Sequence, residues 1–263
     1  MLTTCALVFS AGGAFGAYQA GVWQALEEIG FLPQIVAGAS IGAVNAAAVA
    51  RGATARRLQQ WWRDPSSDIF RGNWSRTLRG RLEELLQEFP PASVRARLRV
   101  TATELPSTRI RVFQDEQVDA SVLLAACAVP VFLAPVRVAG RRFVDGGLFC
   151  RLPAALTAEA TDLVTVDLLA VPPSRLLRLS LNAAIVLRQV LLREPDFSAA
   201  PTGVPRRRID PPQALGSPRD MLRWDPARID RWIERGYRDA QRLRNSASPT
   251  QSAMPRAESA APR

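Results

Sequence analysis

The sequence contains no histidine, and all 34 of its basic residues are arginine. Each absence excludes a class of chemistry. A serine nucleophile here has no imidazole to take its proton, so a Ser-His-Asp triad is excluded. A Ser-Lys dyad is excluded with it, as is a Walker A phosphate loop, which requires lysine. Cysteine is scarce: Cys5, Cys127 and Cys150 are three in number, form no CxxC and have no histidine to join them. That pattern speaks against a structural zinc site and a disulfide framework, and reads as reduced thiols in a cytoplasmic setting. Long apolar runs are also missing. The nearest, 176–192, is interrupted by Arg178, Ser180, Asn182, Arg188 and Gln189, so no transmembrane helix is expected. The apolar run Cys5–Phe9 is too short, and lacks the basic flank, for a signal peptide.

The 263 residues carry a net charge of +10 and a mean hydropathy near zero, with 48% hydrophobic residues. This is enough to bury a sizeable core. Arginine is spread along the chain, the one tight run being Arg206–Arg208. Arginine used without lysine fits a GC-rich coding bias. The charge also suits peripheral contact with an anionic membrane surface. Nothing resembles a nucleic-acid recognition motif, and the sequence sets no oligomeric state. The stretch 246–263, made of Ser, Ala, Pro and Arg with few large apolar residues, reads as a disordered tail after a single domain over 1–245.

Along the chain, Ala6–Ser10 reads as a short buried strand followed by the Gly-rich loop Ala11–Gly16. Tyr18, Val22, Ala25, Leu26 and Ile29 then recur at helical spacing up to Gly30. Ile35–Ala39 reads as a second strand and Ile41–Arg51 as an Ala-rich helix. This strand–loop–helix–strand–turn–helix order predicts an α/β fold with a parallel sheet between helical layers. Further on, the patterns predict a helix over 54–63, an irregular stretch over 64–80 and a helix over 81–89. Strands are expected over 97–104 and 109–114, then a helix over 121–128 and a hairpin around Gly140-Arg141. A strand is expected over 163–170 and a helix over 177–192. After an irregular excursion over 195–218 comes a final helix over 226–243.

Three elements carry chemistry. Gly38-Ala-Ser40-Ile-Gly42 has the G-x-S-x-G form of a nucleophile elbow, in which a strained strand-to-helix turn presents the serine hydroxyl. The plain alternative is an N-cap serine. Gly12 and Gly13 lack a Cβ and can turn backbone N–H groups toward an anion. A dinucleotide loop is the rival reading. It is opposed by Ala11, which breaks G-x-G-x-x-G, and by the want of an acidic residue about 20 positions on. Asp145 ends a strand in Val144-Asp145-Gly146-Gly147. With histidine and lysine excluded, a carboxylate must serve as base, and Asp145 has the best local placement.

Together these motifs resemble the patatin-like phospholipases. The matching stretches are Ser10–Gly21, Gly38–Ala47, Ala126–Pro135, Phe143–Leu148 and the closing helix around Gly236-Tyr237. The resemblance implies a three-layer α/β/α fold with a mostly parallel central sheet. It makes Ser40 the nucleophile and Asp145 the base of a dyad. Gly12 and Gly13, joined by the Ile41 amide, become oxyanion donors, with Gly16, Gly38, Gly42, Gly146 and Gly147 as motif glycines. It calls for no cofactor and no metal, and implies cleavage of fatty-acyl esters of lipids. Two departures stand out: Ala11 replaces the loop's first glycine, and Phe15 replaces a basic residue thought to hold the headgroup or the loop. They allow a rival reading, a lipid-binding module without catalysis, which the intact Ser40 and Asp145 oppose. Trp61, Trp62, Phe70 and Trp74, interleaved with arginines, are the lipid-facing candidates, but core packing is the favoured reading for most of them.

Overall fold

The computed structural model describes residues 3–68, 73–90, 95–176 and 195–246, with residues 179 and 183 besides. Apart from residues 179 and 183, the helix expected over 177–192 lies outside the described residues, as do Phe70 and the tail beyond residue 246.

The chain alternates as its apolar spacing predicts. Strand β1 (Cys5–Phe9) leads through the glycine loop into helix α1 (Gly16–Glu28), then β2 (Ile35–Ala39) and α2 (Ile41–Ala50). Helices α3 (Ala55–Arg63) and α4 (Trp74–Glu88) precede strands β3 (Arg97–Leu105) and β4 (Ile110–Gln114). Helix α5 (Ala120–Ala126) leads to the hairpin β5 (Val136–Val138) and β6 (Arg141–Asp145), followed by β7 (Asp162–Val166), β8 (Arg206–Arg208) and α6 (Pro226–Ser246). The eight described strands form one mixed sheet in the order β5-β6-β3-β2-β1-β7-β8, with β4 paired to β3. It is parallel through the centre and antiparallel at the β3 end.

The central strands are buried on both faces, which is why β1, β2 and β7 read as continuous apolar runs rather than alternating ones. Leu7, Phe9, Val36, Val100, Val164 and Val166 face the main core with the helices. Ala6, Val8, Ile35, Ala37 and Leu163 point to the opposite face, beneath the turn at Ala154–Thr157.

One register places the site. The long strand β3 pairs first with β2, Thr101 standing opposite Ala39. At the next residue it takes up β6, with Ala102 opposite Asp145. Strand β2 runs parallel to β3 and β6 runs antiparallel, so their carboxyl ends meet end to end beside the same strand. Residues 40 and 145 thereby become neighbours.

Two expectations need correction. Helix α4 begins at Trp74, not at 81, because the Asn73 side chain accepts from the Arg76 amide and caps it. Leu78, Leu82 and Leu85 then form its buried seam. Arg206–Arg208 is not irregular but an edge strand on β7. Its side chains are occupied: Arg207 pairs with Asp162, Arg208 with Asp210, and Arg206 Nε donates to Thr165 Oγ1. The core packing favoured for most of the aromatics holds at Trp61 and Trp62, which are 9% and 3% exposed. They lie on the buried seam of α3 with Ala55 and Leu58. No described helix is long and apolar enough to cross a membrane.

Candidate active site

Ser40 sits between β2 and α2 at φ 53°, ψ −132°. A non-glycine residue there stores about 1–3 kcal/mol of backbone strain. The surroundings enforce that conformation. A Cβ on Gly42 would lie 2.5 Å and 2.6 Å from the carbonyl oxygens of Ser10 and Phe9. A Cβ on Gly38 would overlap the Gly42 carbonyl. The glycines two positions either side of the serine therefore let helix α2 press onto β1.

The Ser40 hydroxyl donates to Asp145 Oδ2 at 2.5 Å. The other carboxylate oxygen, Oδ1, accepts from the Gly147 amide at 2.6 Å. Thr103 Oγ1 donates to the Asp145 carbonyl, and the Asp145 amide donates to that of Ala128. The aspartate is held from four sides and is 2% exposed. Burial pushes its carboxyl up to about 7, against the opposing pull of the bonds from Ser40, Gly147 and Leu148. Cys127, also at the pocket, is a poor thiolate: burial and the nearby Asp145 charge raise its pKa well above the usual value.

Gly12 and Gly13 border the same cavity as Ser40 and Ile41. Among the described residues the amides of Gly12, Gly13 and Ile41 have no recorded acceptor. Gly13 has φ +57°, and a Cβ there would overlap the Met221 carbonyl. The loop is held from below by a buried polar chain that the motifs did not announce. Trp62 Nε1 donates to Asn45 Oδ1, Asn45 Nδ2 donates to the Gly16 carbonyl and to Gln19 Oε1, and Gln19 Nε2 donates to the Ser10 carbonyl. Ser10 Oγ in turn accepts from the Leu168 amide. A buried Asn and Gln one helix apart were the available signal, since such side chains need partners. Gly16, behind the loop, abuts Trp62, while Gly146 lies against the Thr101 backbone.

The two departures now have physical readings. Ala11 is tolerated because position 147 is glycine: a Cβ there would collide with the Ala11 methyl. Phe15 is fully buried, edge-on to Trp232 with ring centroids 5.1 Å apart. It is absent from the cavity lining. The side chain at position 15 therefore packs into the core rather than into the cavity.

The cavity measures about 320 Å³ and its wall is overwhelmingly apolar, with Leu78, Leu133, Leu169, Met221, Trp74 and Phe132 among its side chains. Met221 comes from a segment just past the excursion, which the sequence did not mark as part of a site. Arg151 is the one cation among the described lining residues, and its guanidinium pairs with Asp167 at 2.9 Å. No group of three or more potential metal ligands occurs among the described residues.

The family model described as Patatin-like phospholipase matches residues 7–158. The chain is 30% identical over 226 residues to an uncharacterized NTE family protein of Mycobacterium tuberculosis (strain ATCC 25618 / H37Rv), a match covering 74% of this chain and 38% of that protein. It is 33% identical over 117 residues to patatin-like phospholipase domain-containing protein 6 of Homo sapiens, covering 44% of this chain and 8% of that one. The chain thus spans well under half the length of these relatives. Among solved structures, VipD from Legionella pneumophila superposes with a TM-score of 0.54 at 16% identity, over 93% of this chain and 67% of that one. At that identity the likeness is one of fold.

Proposed function

The chain belongs to the patatin-like phospholipase family, and from that membership we propose that it is a serine acyl hydrolase that cleaves fatty-acyl esters of lipids through Ser40 and Asp145. The observation that carries the reading is the 2.5 Å hydrogen bond from a strained, buried serine to a carboxylate whose burial raises it to about 7. An ordinary aspartate, near 3.8, is too weak a base to take a hydroxyl proton. One titrating near 7 is matched to general-base work at neutral pH.

In the first step Asp145 Oδ2 takes the Ser40 proton while Oγ bonds to the ester carbonyl carbon. The carbonyl oxygen becomes an oxyanion, stabilised by the amides of Gly12, Gly13 and Ile41 and by the amino end of α2. As the intermediate collapses, the alcohol leaves with the proton held by Asp145, and an acyl-Ser40 ester remains. Water then gives a proton to Asp145 and its hydroxyl to the acyl carbon; as the acyl–Oγ bond breaks, Asp145 returns that proton to Oγ, and fatty acid and free Ser40 result. The apolar wall suits the acyl chain: each buried methylene contributes about 0.8 kcal/mol.

The test is the pH dependence of kcat/KM on a soluble nitrophenyl ester. Asp145 must be ionised to accept the proton, so activity is expected to rise with pH and level off above an inflection near 7. A rate that is flat from pH 5 to pH 8 contradicts the assignment of Asp145 as base.

A further inference from the structure

We propose that the turn over residues 129–135, with Arg137 and Arg142 at its foot, is the surface by which this protein seats its pocket on an anionic lipid bilayer. The proposal rests on the lipid-hydrolase reading only for the identity of the occupant.

The turn Val129-Pro-Val-Phe-Leu-Ala-Pro135 has no polar side chain. Exposed turns ordinarily use Gly, Asn, Asp or Ser, which tolerate the backbone geometry and stay hydrated. Here the tip is Val131, 98% exposed and at φ +77°. A β-branched residue in the left-handed region is a genuine outlier. Full exposure of its side chain adds no packing in return. Phe132 beside it is 45% exposed. Its ring stacks on Trp74, with centroids 5.2 Å apart and planes 11° off parallel. Val129, Phe132, Leu133 and Trp74 all line the cavity. The protruding apolar tip is therefore continuous with the pocket wall.

Charge points to the nature of the surface. Between Asp119 and Asp145 the chain has no acidic residue and three arginines. Arg141 pairs with Glu104. Arg137 and Arg142 stand directly opposite each other across the β5–β6 hairpin, both exposed, and neither has a carboxylate partner among the described residues. Like charges facing each other across strands are destabilising. Anionic headgroups would relieve that repulsion while the apolar tip enters the acyl boundary, the division of labour that interfacial segments use.

The experiment uses the full chain carrying Ser40→Ala, so that vesicles are not consumed, and reads flotation with phosphatidylcholine vesicles with or without phosphatidylglycerol. Binding to the phosphatidylglycerol-containing vesicles is expected. Val131→Asn, which suits a positive φ and so retains the fold, is expected to weaken it about tenfold. Arg137→Gln with Arg142→Gln is expected to weaken binding to the anionic vesicles alone and to raise the melting temperature. In the active protein, Val131→Asn should leave turnover of a soluble ester unchanged. If soluble esters are not hydrolysed at all, the hydrolase reading fails while the flotation still reads the surface. Equal flotation of parent and Val131→Asn overturns the proposal, as does a parent that does not float. A parent dimer that Val131→Asn disperses overturns it too, since the turn is then a contact between copies.

Discussion

Asp145→Asn is expected to lose ester hydrolysis by about 10³-fold or more and yet to melt at a higher temperature than the wild type at pH 8. The two effects share one cause. A carboxylate 2% exposed is costly to ionise, and its pKa therefore sits near 7 in the folded chain instead of near 3.8. Below 3.8 the group is protonated in both states, and its contribution to stability is fully present. Between about 4 and 7 the unfolded chain releases the proton while the folded chain keeps it, so stability falls as pH rises, and the loss is complete above 7. Asparagine does not titrate, and its side-chain oxygen can still accept from Ser40. Melting both proteins at pH 4.5 and pH 8 isolates this group, because the other titrations occur in both and cancel. The asparagine variant should gain on the wild type between the two pH values. An equal difference at both would mean that Asp145 is not held up in the folded state. Activity at such a site is obtained at the expense of stability, a recurrent trade-off in enzymes.

The second large effect concerns the scaffold. Gly21→Ala is expected to destabilise the fold by about 3 kcal/mol, lowering the melting temperature by roughly 6–12 °C. Helices α1 and α6 pack against each other backbone to backbone at Gly21 and Gly236. A Cβ on Gly21 would overlap the Ile233 carbonyl and approach the Tyr237 amide to 2.9 Å. A Cβ on Gly236 would overlap the Tyr18 carbonyl. These obstacles are main chain and cannot swing aside, so the helices must separate. Hydrogen bonds from Tyr18 to Asp239 and from Tyr237 to Glu28 fix the same pair and would be stretched. Since α1 follows directly from the Gly12-Gly13 loop, activity should fall with stability. Gly80→Ala is the control: it lies within α4 with nothing inside 4 Å of the added methyl. It should gain about 1 kcal/mol through helix propensity alone. Urea denaturation of the two variants checks both signs, and a Gly21→Ala protein as stable as the wild type would refute the close crossing.

How far the sequence could be read differs between site and scaffold for physical reasons. Ser40, Asp145 and the Gly12-Gly13 loop stood out as candidates because each sits in a short motif whose residues are dictated by local geometry. The distance between Ser40 and Asp145 was not, since it depends on β3 changing partners between Thr101 and Ala102. Sequence spacing carries no mark of that exchange. The start of α4 was missed because its cap, Asn73, is a single polar residue amid other polar residues. The edge strand β8 was missed because Arg-Arg-Arg has the composition of a solvated face, and only its backbone pairing with β7 makes it a strand. Trp61 and Trp62 were legible as core residues: with Ala55 and Leu58 they form one helical seam, the signature of a buried face. Phe15 shows the opposite limit. Motif alignment suggested a loss of headgroup chemistry, but the side chain points into the core against Trp232.

Whether Ser40, activated by Asp145, acts as the nucleophile is open to direct chemical test. The most direct measurement is labelling with a fluorophosphonate, followed by peptide mass mapping across a pH series. One adduct is expected, on Ser40, with a labelling rate that rises through pH 7, and no adduct in Ser40→Ala. An unlabelled wild-type protein, or an adduct on any other residue, would contradict it.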